Sequence, residues 1–120
     1  MSADALRPLA GRPKAPKAPS HLTVGSRRLW ADITSTYVLE PHHLAILAAA
    51  MEARDRMLQA RAAIARHGLL VTDRFGALRA NPALAIERDS RTAFYRGIRE
   101  VGLDIEAAGA PPRLPTAWRS

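Results

Sequence analysis

Four histidines, eleven acidic residues and eighteen lysines and arginines are the groups in this 120-residue chain that could do chemistry. Their spacing says which kind. His42 and His43 are adjacent, so on a helix they point to different sides, and neither has a ligand partner four residues on to complete a metal pair. His21 and His67 stand alone, with no serine or carboxylate at a suggestive distance along the chain. The acidic residues mostly neighbour arginines. Glu52 with Arg56, and Glu87 with Arg91, have the i,i+4 spacing of solvated ion pairs on a helix. There is no cysteine, which excludes disulfides, thiol nucleophiles and thiolate metal sites. No phosphate-cradling G-x-x-x-x-G-K-[ST] loop is present, which argues against nucleotide hydrolysis. The residue types therefore point to no catalytic centre, cofactor or metal, although catalytic triads assemble in space and not along the sequence.

The basic residues carry the stronger signal. A formal charge of +7 and a pI near 11.2 fit a polyanionic partner. Arg7, Arg12, Lys14 and Lys17 alternate with Pro8, Pro13, Pro16 and Pro19. Such a tail can follow a phosphate backbone, releasing counterions at each contact. Gly11-Arg-Pro13 has the centre of a minor-groove hook, or belongs to a plain solubilising tail. Arg27 and Arg28 open the first predicted helix beside Trp30. They are either a solvated helix end or the basic edge of a structured DNA-binding surface. Arg88, Arg91, Arg96 and Arg99 are mixed with Glu87, Asp89 and Glu100, a pattern of a solvated or inter-subunit face more than of a DNA contact.

The elements that must position these groups are mainly helical. Residues 1–22 read as a disordered basic tail, because proline removes backbone donors and fixes φ. Residues 23–106 form the helical core for oligomerisation and DNA binding, and 107–120 a flexible C-terminal tail. The first helix is expected over about 26–37, capped by Ser26, with Leu29, Trp30, Ile33 and Tyr37 as one apolar stripe. The second and longest runs over 41–67, started by Pro41 and stopped by Gly68, which is about 40 Å of helix. A small β-hairpin follows over 69–80, turning at Gly76, and should need a helix or a partner hairpin to pack on. Asn81 and Pro82 announce a third helix to about 101, with Leu84, Ala85, Phe94, Ile98 and Val101 apolar, before Gly102 ends it.

Within the long helix, residues 44–51 are apolar all round, where a surface helix has a polar face. Other helices of the same chain, of neighbouring copies, or both must cover them. Leu44, Leu47, Met51 and Leu58 are thus candidates for contacts between copies. The core is alanine-rich, with only two each of Trp, Tyr and Phe, so each residue buries little area and assembly is a source of more. The same eight-residue run is too short to cross a bilayer, and residues 1–20 lack the apolar stretch of a signal peptide. A cytoplasmic protein without a membrane partner is the expectation.

The order of elements resembles a known family. Arg28-Leu-Trp30, Tyr37-x-Leu39, the Ala/Arg-rich helix ending in Gly68-Leu69, the hairpin, Asn81-Pro82 and Phe94-x-x-x-Ile98-Arg-Glu-x-Gly-Leu-Asp104 together are similar to the small subunit of phage terminases. The branch is the one common in siphophages that package with cohesive ends. The resemblance covers about 27–108, and the Gly11-Arg-Pro-Lys14 tail is similar to the family's N-termini. It implies a ring of identical subunits that recognises the packaging site on double-stranded viral DNA in the bacterial host cytoplasm. It also implies that the ring recruits or regulates a separate large ATPase/nuclease subunit, and that this chain is not itself an enzyme. The short C-terminal end departs from the family, where that end often helps engage the large subunit. The alternative is a dimeric helix-turn-helix-type regulator, with 30–51 mimicking the motif. A small basic enzyme is a third class, which no metal-ligand cluster supports.

Overall fold

The computed structural model describes residues 15–103, to which all structural statements refer. Helix α1 spans Val24–Thr36, α2 Pro41–His67 and α3 Ala83–Glu100, with strands β1 (Leu70–Thr72) and β2 (Leu78–Ala80) between α2 and α3. The fold is mainly helical, with a long central helix and one antiparallel hairpin, as the sequence predicts. Residues 15–22, read as part of the tail, are instead laid against the helices: Leu22 is buried, and the Trp30 indole N–H donates to the Pro16 carbonyl at 3.0 Å. Proline prevents this stretch from forming helix or sheet, but leaves its carbonyls free to accept.

Helix α1 begins earlier than expected. Thr23 is its cap, accepting from the Ser26 amide, while Ser26 lies inside the molecule. Helix α2 has the bounds set by Pro41 and Gly68. The latter sits at φ 86°, a conformation that lets the chain leave the helix without a Cβ penalty.

The core explains how the apolar stretch 44–51 is covered. Leu47, Ala50 and Met51 face inward with Trp30, Leu22, Leu39 and Val101, and Leu29, Ile33, Leu44, Phe94 and Ile98 pack against them. The exposed positions in that stretch are Ala45 and Ala49, whose methyls leave little apolar area in water. Helix α3 comes unusually near α2, because its buried positions are Ala83, Ser90 and Gly97, all small and seven apart. They face a helix whose own buried positions include Ala50, Ala53 and Ala60. A Cβ on Gly97 would sit 2.8 Å from the Ala50 Cβ, so the two backbones approach as closely as glycine allows. Of the apolar residues of this stretch, Val101 is buried and Phe94 and Ile98 pack on the core, while Leu84 is half-buried and Ala85 exposed. Glu87 ties the pair from outside, meeting Arg61 of α2 at 3.0 Å and Arg91 of its own helix at 3.5 Å.

The hairpin pairs Leu70 with Ala80, Val71 with Arg79 and Thr72 with Leu78. Asp73 fixes its turn. The carboxylate accepts from the amides of Phe75 and Ala77 and from Arg79 Nε, and Gly76 takes φ 83°. Those bonds, the Arg79 ion pair first, hold the Asp73 carboxyl below its ordinary pKa. At the base, Asn81 is buried and does two jobs. Its Nδ2 donates to the Gly68 carbonyl at 2.8 Å, and its Oδ1 accepts from the Ala83 amide at 2.9 Å, which caps α3. Among the described residues no element packs over the hairpin as expected, and both strands are largely exposed.

Candidate nucleic-acid interface

The first turn of α1, residues 24–27, contains no acidic residue and ends on Arg27, and Arg28 opens the next turn; both arginines are exposed. Cations at a helix N-terminus oppose the macrodipole, and the anion that gains from the dipole here is the Asp55 carboxylate of α2, which accepts from the Thr23 amide. Arg27 reaches back to the Ser20 carbonyl at 3.1 Å, which aligns it with the segment 15–22. Arg28 makes no hydrogen bond or ion pair among the described residues and projects into solvent. Lys17 is exposed on that same segment, next to the Pro16 carbonyl that Trp30 of α1 holds. The fold thus brings Lys17, Arg27 and Arg28 onto neighbouring elements. Arg7, Arg12 and Lys14 lie outside the described residues.

What holds α1 in place is a polar cluster that sequence reasoning missed. Asp55 of α2 accepts from the Thr23 amide at 3.0 Å, from Thr23 Oγ1 at 2.6 Å and from Ser26 Oγ at 2.5 Å. Ser26 Oγ in turn accepts from Arg54 at 3.0 Å. The Arg54 guanidinium lies over Gly25, where a Cβ would come within 3.1 Å of it. Partial burial by itself would raise the Asp55 carboxyl. The hydrogen bonds from Ser26 and Thr23, with the Arg54 charge, outweigh it and hold the pKa below the ordinary value. Nearby, His21 Nε2 meets Glu52 at 2.7 Å, the carboxylate expected to pair with Arg56. These contacts clamp the start of α1 and the segment before it onto α2, so the arginines stand on a fixed support. The Thr23-x-x-Ser26 spacing was the available signal, but it does not name Asp55 as the acceptor.

The four residues expected at contacts between copies fall in different places. Leu47 and Met51 are 0% exposed, and their neighbours belong to the same chain. Within one protomer both are core residues, shielded by their own chain. Leu44 is half-buried, while Leu58 keeps 39% of its surface exposed. Among the described residues, the large apolar side chains most open to solvent are elsewhere: Val24 of α1 at 60%, and Leu69, Leu70, Phe75 and Leu78, at 57–79%, on or beside the hairpin.

Among the described residues no group of three or more His, Asp and Glu is placed to hold a metal, and no helix is long and apolar enough to cross a membrane. The arrangement offers fixed cations and apolar contact surface. A family model described as phage terminase, small subunit, matches residues 27–111. No curated protein and no solved structure matches the chain.

Proposed function

The chain belongs to the phage terminase small-subunit family and has a role in phage DNA packaging; from that premise we propose that it is the DNA-recognising assembly factor of a packaging motor. It binds double-stranded viral DNA at the packaging site, in the host cytoplasm and in the cohesive-end mode. Copies close into a ring, and the ring recruits or regulates the large ATPase/nuclease subunit without catalysing a reaction itself. The observation that supports this most is the exposed pair Arg27 and Arg28 near the start of a helix that the Asp55 cluster holds in place. Together with the net +7 charge it suits a phosphate backbone.

The test is a gel-shift titration with duplex containing the viral packaging region, repeated over a range of salt. The wild type should bind with a steep salt dependence. Replacing Arg27 and Arg28 by Ala should weaken binding and flatten the log–log salt slope by up to roughly 2, about 0.9 per lost phosphate contact. Unchanged affinity and slope would remove these two residues from the interface. Failure of the wild type to retard any duplex at low salt would end the DNA-binding reading.

A further inference from the structure

We propose that the hairpin is an assembly element: the free edge of β1 in one copy pairs with the free edge of β2 in the next, extending one antiparallel sheet through successive subunits. The inference rests on the ring reading above and names the surface that closes the ring.

The register decides which backbone groups are available. The Asp73 amide donates to the Ala77 carbonyl and the Asn81 amide to the Leu69 carbonyl. In an antiparallel ladder bonded pairs alternate with non-bonded ones, so Val71 and Arg79 form the bonded pair between them. The N–H and C=O groups of Leu70 and Thr72 therefore point away from β2, and those of Leu78 and Ala80 away from β1. Among the described residues both edges are unpaired, with complementary donors and acceptors. Such edges template pairing with another chain unless they are charged, covered or interrupted by proline. None of the four edge residues is charged or proline.

The side chains agree with the backbone. Leu70 and Leu78 sit at non-bonded positions and so share one face, exposed at 57% and 68%. Leu69 at 62% and Phe75 at 79% extend the apolar surface to the base and tip. Large exposed apolar patches mark interaction sites, and two strands alone are barely stable in water. A copy within a ring uses both edges, one towards each neighbour, and so gains twice from the same element. Rotational symmetry also fixes strand direction. Copies related by a rotation hold their hairpins in the same sense along the axis, so β1 of one runs antiparallel to β2 of the next, and closure leaves no edge. A nucleic-acid contact would use Arg74, stacked 5.1 Å from the Phe75 ring at the tip, but would leave the leucines and both edges without a role.

The absence of cysteine allows a direct test in the full chain. Copies bearing only Leu70→Cys are mixed with copies bearing only Leu78→Cys and oxidised. Disulfide-linked dimers should form in the mixture far more than in either variant alone. In parallel, a Leu70→Lys, Leu78→Lys double variant is compared with wild type by light scattering, with circular dichroism as the check on folding. The expected result is a fall from a high-mass assembly to small species with helicity retained. A wild-type assembly that gives no mixed cross-link, and a lysine variant of unchanged mass, would overturn the hairpin pairing while leaving the ring reading standing. Cross-linking within one variant alone would replace it with a two-fold contact. An Arg74→Ala, Phe75→Ala variant that loses duplex binding, in an assembly that the lysines do not disturb, would reassign the hairpin to DNA. A wild type that stays monomeric at all concentrations would end both readings.

Discussion

The α2–α3 pair and the hairpin that joins them are built from opposite choices of side chain. Along α3 the inward positions are Ala83, Ser90 and Gly97, so the helices close on each other and the larger residues fill the gaps beside them. The hairpin keeps its larger residues, Leu70, Phe75 and Leu78, on the outside. The helical pair has satisfied itself within one chain, and the hairpin has not. Hydrophobicity alone would have ranked the two regions the other way, because residues 44–51 are the most apolar run in the sequence. Access, and not apolarity, separates a core from an interface.

That contrast can be broken most forcefully at its buried end. Leu47→Ala should cost about 2–5 kcal/mol of protomer stability, the range for emptying a closed core site, read as a lowered midpoint in thermal or denaturant unfolding. A folded protomer of wild-type stability would mean that Leu47 is not sealed inside. Gly97→Leu probes the closest approach. It should cost about 1–3 kcal/mol or more from overpacking against Ala50. Gly97→Ala should cost less, since the ~1 kcal/mol gain in helix propensity offsets part of the clash.

Next in size is a pH effect at the clamp between α1 and α2. The Asp55 carboxyl has a folded-state pKa below its unfolded one, so its stabilisation is present above the unfolded value, about 3.9, and is lost as pH falls through the depressed folded value. Wild-type stability should therefore decline below about pH 4 more steeply than that of Asp55→Asn, whose amide does not titrate. Parallel curves in acid unfolding would show the cluster to be energetically idle. The smallest change is expected at the exposed end: Phe75→Ala should shift denaturant unfolding of dilute protein by no more than about 0.5 kcal/mol. A larger loss would mean that the tip packs on its own chain after all.

The same contrast bears on what the sequence could reveal. Pro41, Gly68, Gly76 and Gly102 marked the ends and turns where the structure has them, because each acts on its own backbone. Asn81 was readable as a cap for the same reason. Periodicity finds the apolar residues but not the neighbour that covers them, so from sequence Leu47 and Met51 are equally candidates for contacts between copies. The small-residue face of α3 was illegible, since Ser90 and Gly97 look like interruptions until Ala50 is placed beside them. The proline-rich stretch before α1 read as tail because nothing local shows that Trp30 will hold its carbonyl. At the candidate interface, charge marked Arg27 and Arg28. The Asp55 cluster that supports them joins residues about thirty positions apart, a distance that only the folded chain collapses.

Asn81 gives the hairpin a mechanical connection to the rest. One side chain grips the carbonyl that ends α2 and the amide that starts α3, so the strands are welded to both helices at a single point. Loosening that one side chain would free the end of α2 and the start of α3 together. Whatever engages that hairpin therefore takes hold of the whole subunit.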